Sequence, residues 1–307
     1  MRAPPLVLLL FLAFLPSAST ACVVVTGATG FVAGHIVDVL LSAGRDVHGT
    51  VRPGTKPWKT AHLLGLAARH PGTLTLFPAD LAAEGPFDAA ASGCSGFIHV
   101  ASVVVREKGN LTEQVETSVK GTLSALEAAK KARCASVVVT SSVAAIGPTK
   151  AKWGAKLGST VGASPYCVGC YVHSNTLYDV HDTNDVASLT YATYSYSKVM
   201  AERAGNRWIE AHAREGGPGG GGGGEAGEAG EAGEAGEGSA AGAAARGGAK
   251  STPPFRLATI HFPWALGPQQ SERVTSSNTV VKMLLTGDPP VAVPMQLSII
   301  DVREQLP

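Results

Sequence analysis

The stretch Cys22–Gly34, CVVVTGATGFVAG, constrains the fold more than any other part of the chain. Val23-Val24-Val25 is an apolar run without polar alternation, the pattern of a strand covered on both faces, as in a parallel sheet between helices. Gly27, Gly30 and Gly34 follow it, and a helical pattern opens at Phe31. From the residues alone this turn is either a structural link between buried strand and helix or a cradle for phosphates. Glycine permits the tight turn and a close approach, and the first turn of a helix offers free N–H groups and a positive dipole end. The third small position is Ala33, with Gly34 beside it, still compact enough for helix–strand packing.

The same alternation continues along the chain. Residues 22–26, 46–51, 74–78, 96–100, 135–140 and 255–261 read as strands, with helix-length segments such as 31–43 and 111–132 between them. That order predicts an α/β fold built on a doubly wound, Rossmann-type parallel sheet. A chain of 307 residues, 45% hydrophobic, suffices for one large domain with a small second lobe. The formal net charge of +1 gives no global field for nucleic acid or an anionic membrane, so a small molecule is the expected partner.

The end of the second strand narrows the ligand. Thr50-Val51-Arg52 carries no carboxylate to accept from an unphosphorylated ribose, whereas Arg52 and Lys59 offer charge suited to a 2′-phosphate, favouring NADP(H) over NAD(H). Asp80-Leu81 follows the third strand, where a carboxylate meets an adenine amino group. His99-Val100-Ala101-Ser102 ends the fourth with a turn small enough for a cofactor to lie close. All of these fall on the carboxyl edge of the sheet, where α/β proteins bind ligands.

Tyr194-Ser-Tyr-Ser-Lys198 sets a phenol and an ammonium one helical turn apart on one face. The ammonium favours the phenolate, which suits Tyr194 to exchange a proton with a substrate oxygen. Ser142, closing the fifth strand, is placed to hydrogen-bond the same oxygen. Tyr191 and Tyr196 lie nearby without a lysine at that spacing.

With these residues in order, the chain resembles an extended short-chain dehydrogenase/reductase of the dihydroflavonol-reductase and cinnamoyl-CoA-reductase-like group, in the NAD-dependent epimerase/dehydratase superfamily. The resemblance is carried by TGATGFVAG (26–34), VRPGTKPWK (51–59), ADL (79–81), FIHVAS (97–102), VTSSVAAIG (139–147), YSYSKVMAE (194–202) and HFPWALGP (261–268). It implies an NADPH-dependent reductase passing hydride to a small ketone or aldehyde. Tyr194 would be the general acid, Ser142 would orient the carbonyl, and Lys198 would hold the nicotinamide ribose. NADP(H) would contact Gly27, Thr29, Gly30, Phe31, Val32, Arg52, Lys59, Asp80, Leu81, Val100, Ala101, Ser102, Tyr194, Lys198 and Pro263; no metal is implied. The same fold and residues serve nucleotide-sugar epimerases or dehydratases and hydroxysteroid-type dehydrogenases. A non-catalytic dinucleotide-binding protein is the alternative from another class.

The remaining features concern organisation. Residues 1–21 read as a signal-like leader: Arg2, the apolar run Leu6–Leu15, then small residues up to Ala21. The run is too short to span a bilayer, which takes about 20 residues. It suggests the secretory pathway, with a cytoplasmic location as the alternative. Residues 22–302 form the dinucleotide-binding domain with part of a substrate lobe, assigned to 148–190 and 264–307. That lobe is expected to be short, because family members continue well past Asp301-Val302-Arg303. Residues 216–250, rich in Gly, Glu and Ala, have no large apolar side chain to order them and are expected to be a disordered insert. Five cysteines, an odd and sparse set, predict no disulfide framework, and Cys167-Val-Gly-Cys170 reads as an incidental pair.

Overall fold

A computed structural model of the chain describes residues 21–103, 110–146, 193–215, 254–271 and 299–302, with isolated positions between 183 and 188 and between 278 and 286. Its centre is a six-stranded parallel sheet of β1 (Val23–Val25), β2 (Val47–Val51), β3 (Leu74–Pro78), β4 (Gly96–His99), β5 (Ser136–Ser142) and β6 (Arg256–Phe262), in the order β3-β2-β1-β4-β5-β6. All six expected strands form. The order reverses between β1 and β4, which leaves a crevice beyond their carboxyl ends.

The three valines of β1 have no exposure because the sheet is covered on both faces. Val23 and Val25 pack with α1 (Phe31–Ser42), α2 (Ala61–Ala67), Ile98 and Val138 on one side. Val24 packs with α3 (Asp88–Ala91), α4 (Leu111–Lys131), Phe97 and Val137 on the other. Each such valine contributes roughly 1.5–3 kcal/mol on burial, an upper bound.

Local signals set the ends of the helices. Asn110 caps α4 by accepting from Glu113 N–H, and Lys130 and Lys131 complement the dipole at its far end. Gly44, left-handed at φ +72°, stops α1 with its N–H on Leu41 O. The short α5 (Val143–Ile146) follows β5, and the long α6 (Thr193–Glu215) lies against α4. A Cβ at Gly205 of α6 would lie 3.5 Å from Thr122 of α4, so the two helices approach closely.

After β6, Pro263 breaks the strand. Trp264–Leu266 (β7) then pairs in parallel with Ile299–Asp301 (β8), a small second sheet inside the 264–307 lobe. Ala265 and Val302 join the core on the α1 side of the main sheet. The expected strand region over 291–302 is thus Ile299–Asp301 among the described residues, and β7 was not expected. The leader to residue 20, the 216–250 insert, Tyr191 and the Cys167/Cys170 pair lie outside the described residues.

One expectation is corrected. Cys22 and Cys94 form a disulfide, with Cα atoms 4.4 Å apart. They are 72 residues apart in the chain, but the parallel β1–β4 pairing brings the beginnings of both strands together. His48 Nδ1 lies 3.5 and 3.3 Å from the two sulfurs and donates to Ala90 O at 2.7 Å. These three side chains are the one group among the described residues close enough to share a metal ion. The S–S bond occupies both sulfurs, and the proton on Nδ1 occupies the third ligand atom. Cys134 nearby is a free, buried thiol, and burial pushes its pKa up to about 11.

Candidate active site

The glycine turn is anchored to both neighbouring strands. Gly27 N–H donates to Thr50 Oγ1 and Ala28 N–H to Thr50 O, while Thr26 N–H donates to Ile98 O. Gly27 is left-handed at φ +67°, and a Cβ there would stand 3.1 Å from the Ala101 side chain. Glycine is therefore required twice, by the backbone conformation and by the approach of the loop after β4. Gly30 is the exposed N-cap of α1, with no side chain capping the helix. The first-turn N–H groups around Phe31 and Val32 have no partner within the helix and face the crevice mouth, beside Thr29. An anionic diphosphate fits this arrangement. Ala33 is fully buried, and Gly34 leaves the space that Gln270 occupies.

Thr26 organises the neighbouring loop. Its Oγ1 accepts from Val100 N–H and from Ala101 N–H, both at 2.9 Å, and lies 3.0 Å from His99 Nδ1. With both lone pairs used, its proton goes to Nδ1, so His99 carries its own proton on Nε2. Burial, and then the charge of Lys198, depress the His99 pKa to about 3. This histidine is neutral at physiological pH. The small turn expected to admit a cofactor thus serves the protein first: Ala101 is small for Gly27, and its N–H is taken by Thr26. Ser102 follows, half-buried.

Arg52 stands exposed at the end of β2, and its carbonyl accepts from Thr55 N–H and Oγ1. Lys59, in a 3-10 turn, lies 5.2 Å from the Trp58 ring. Among the described residues neither cation has an ion-pair partner. Asp80 is exposed and accepts from Ala82 N–H at 3.0 Å, while Leu81 fills the space over Gly121 of α4.

On α6, Lys198 Nζ lies 5.8 Å from the centre of the Tyr194 ring, as their spacing predicts, and Lys198 is buried. Ser142, at the end of β5, donates to Phe262 O at 3.3 Å and accepts from Ala144 N–H at 3.2 Å. Its strand neighbour Ser141 makes the contact with α6, donating to Glu202 at 2.6 Å. Glu202 also accepts from His261 Nε2 at 2.9 Å. Pro263 is half-buried just past β6, at the same carboxyl edge.

Thr26, Ser141, Glu202 and His261 were not singled out from the sequence. For Glu202 a signal existed, since it repeats the spacing from Tyr194 to Lys198 one turn further along. Thr26 and His261 become visible only when strands pair. Among the described residues no helix is long and apolar enough to cross a membrane.

Comparison with known proteins agrees with this geometry. Residues 23–216 match the NAD dependent epimerase/dehydratase family. A putative anthocyanidin reductase of Ginkgo biloba is 33% identical over 211 residues, 66% of this chain and 55% of the relative. A bifunctional dihydroflavonol 4-reductase/flavanone 4-reductase of Malus domestica is 35% identical over 196 residues, 61% of this chain and 49% of the relative. The chain spans about half the length of these curated relatives. Among solved structures, Gre2 of Candida albicans in complex with NADPH superposes with a TM-score of 0.63 at 24% identity, covering 92% of this chain and 71% of that one. At that identity the likeness establishes the fold.

Proposed function

The chain belongs to the NAD dependent epimerase/dehydratase family, and from that premise we propose that it is an NADPH-dependent reductase of a small ketone or aldehyde. The observation that carries the reading is the Tyr194–Lys198 pair, a phenol with a buried ammonium 5.8 Å from its ring at the carboxyl edge of the sheet. NADPH, when bound, supplies the hydride. The first turn of α1, with Gly27, Thr29, Gly30, Phe31 and Val32, would hold its diphosphate, and Arg52 and Lys59 its 2′-phosphate. Asp80, Leu81, Val100, Ala101, Ser102 and Pro263 would line the remainder.

The reaction needs a proton on the substrate oxygen as the carbonyl carbon is reduced. Tyr194 donates it from its hydroxyl, and the Lys198 ammonium stabilises the phenolate left behind. Ser142 orients the carbonyl oxygen by exchanging its long bond to Phe262 O for a shorter one to substrate.

NADPH fluorescence tests the reading in two steps. Wild-type protein is expected to bind NADPH in preference to NADH, and Arg52→Ala to lower that preference about tenfold, the worth of one charge-assisted hydrogen bond. Protein that leaves NADPH fluorescence unchanged, or binds both cofactors alike, overturns the NADPH assignment.

For localisation, we infer that the chain folds in an oxidising compartment such as the secretory pathway. The support is the Cys22–Cys94 disulfide, whose cysteines are both buried, unlike the accessible pairs of transient redox sites. Alkylation of protein taken directly from cells tests it: free thiols at both positions would mean a reducing compartment.

A further inference from the structure

Behind Lys198 the fold closes a cavity of about 30 Å³, room for one or two waters. Lys198 and His99 face it, with Ser141 and Glu202 on the wall between α6 and β5. Glu202 is one turn beyond Lys198, so Tyr194, Lys198 and Glu202 follow one another along a single face of α6. Its carboxylate is held from two strands, by Ser141 of β5 and His261 of β6. Burial pushes this carboxyl up, but the hydrogen bonds from His261 and Ser141, then the charges of His261 and Lys198, hold it below its ordinary value. Glu202 is therefore an anion at neutral pH, within a space where charges are poorly screened.

The other groups around the cavity add no charge. His99 of β4 is neutral, its tautomer set by Thr26. α4 presents Thr122 and Leu126, β5 presents Thr140, and β6 adds Leu257 and Thr259. The balance is thus between Lys198 on one side and Glu202, with its His261 partner, on the other.

This balance bears on the direction of the reaction. A lysine alone beside a general acid favours the phenolate and so removes the proton that reduction consumes. A carboxylate one turn further along acts in the opposite sense, retaining protons on both Lys198 and Tyr194. We propose that Glu202 is a positioning residue for the proton-transfer pair: its buried charge fixes the Lys198 ammonium and keeps Tyr194 protonated at neutral pH, biasing the site toward reduction. The proposal rests on the reading of Tyr194 as general acid.

Glu202→Gln tests it, because the amide keeps the shape and an acceptor oxygen for Ser141 and His261 while removing the charge. Tyr194 is followed by its tyrosinate absorbance, as the difference between each chain and the same chain carrying Tyr194→Phe. The Tyr194 midpoint is expected to fall by about half a pH unit or more in E202Q, and to return in E202D. In carbonyl reduction the alkaline limb of the kcat profile is expected to move down by the same amount, with KM unchanged. A midpoint that stays or rises overturns the proposal, whatever happens to thermal stability. Should E202Q not fold, Glu202→Ala titrated with and without formate gives the same reading: formate raising the midpoint supports the proposal, and no change overturns it. A midpoint that falls in E202Q, in a chain that reduces no carbonyl compound, removes the reductase reading and leaves the coupling to Glu202 standing.

Discussion

The two edges of the parallel sheet are built to opposite ends. At the amino edge, Cys22 and Cys94 are joined covalently, His48 is committed to Ala90 O, and Cys134 is a thiol raised by burial to a pKa of about 11. Polar chemistry there is quenched. At the carboxyl edge, glycines leave space, the first turn of α1 is uncapped, and Lys198 and Glu202 face one cavity. Both edges grow from the same strands, so the difference lies in the residues joined to each strand end. Stability is concentrated at one edge, and reactive groups are concentrated at the other.

Three further measurements sharpen or break this contrast. The largest effect is expected from Tyr194→Phe, which removes the general acid. Turnover of the best carbonyl substrate should fall by about 10²–10⁴-fold, with the melting temperature nearly unchanged. Activity within a factor of a few of wild type would detach the carboxyl edge from proton transfer. Next comes Cys22→Ser at the amino edge. Opening a cross-link 72 residues apart in sequence should lower the unfolding free energy by about 2–4 kcal/mol, while turnover per folded molecule stays the same. A loss of turnover without a loss of stability would mean that the two edges are not separate.

The smallest effect concerns pH. His99, held near pKa 3 in the folded chain, refuses a proton that it accepts below its ordinary value of 6.5 when unfolded. Stability should therefore decline as pH falls from 6.5 toward 3, with a slope of at most about 1.4 kcal/mol per pH unit from this residue. His99→Gln should remove that share, so that the stability gap between the two chains is constant above pH 6.5 and narrows, or inverts, toward pH 3. Parallel acid limbs in chemical denaturation would show that His99 is not the group responsible.

How far the sequence revealed all this depends on the range over which each signal acts. β1 was legible because three valines in a row can be covered only from both sides, and Gly27 because a turn at that point needs positive φ. The Tyr194–Lys198 pair was legible because helical spacing is local. The disulfide was not, since Cys22 and Cys94 meet only after β1 pairs with β4. The roles of Ser141 and Ser142 diverge for a related reason. Neighbours in a strand point to opposite faces, so Ser141 reaches Glu202 on α6 while Ser142 turns to Phe262 O. Only the paired sheet decides which hydroxyl meets which partner.

The Cys22–Cys94 bond also divides the chain topologically. Everything from β1 to the start of β4, including the glycine turn, Arg52 and Lys59, lies within one covalently closed ring. Ser142, Tyr194 and Lys198 lie outside it. A protease cutting once inside the ring produces two fragments that travel together until a reductant is added, whereas a cut beyond Cys94 releases its fragment at once. The half proposed to hold the phosphates is thus protected against a single nick, and the half that carries the acid is not.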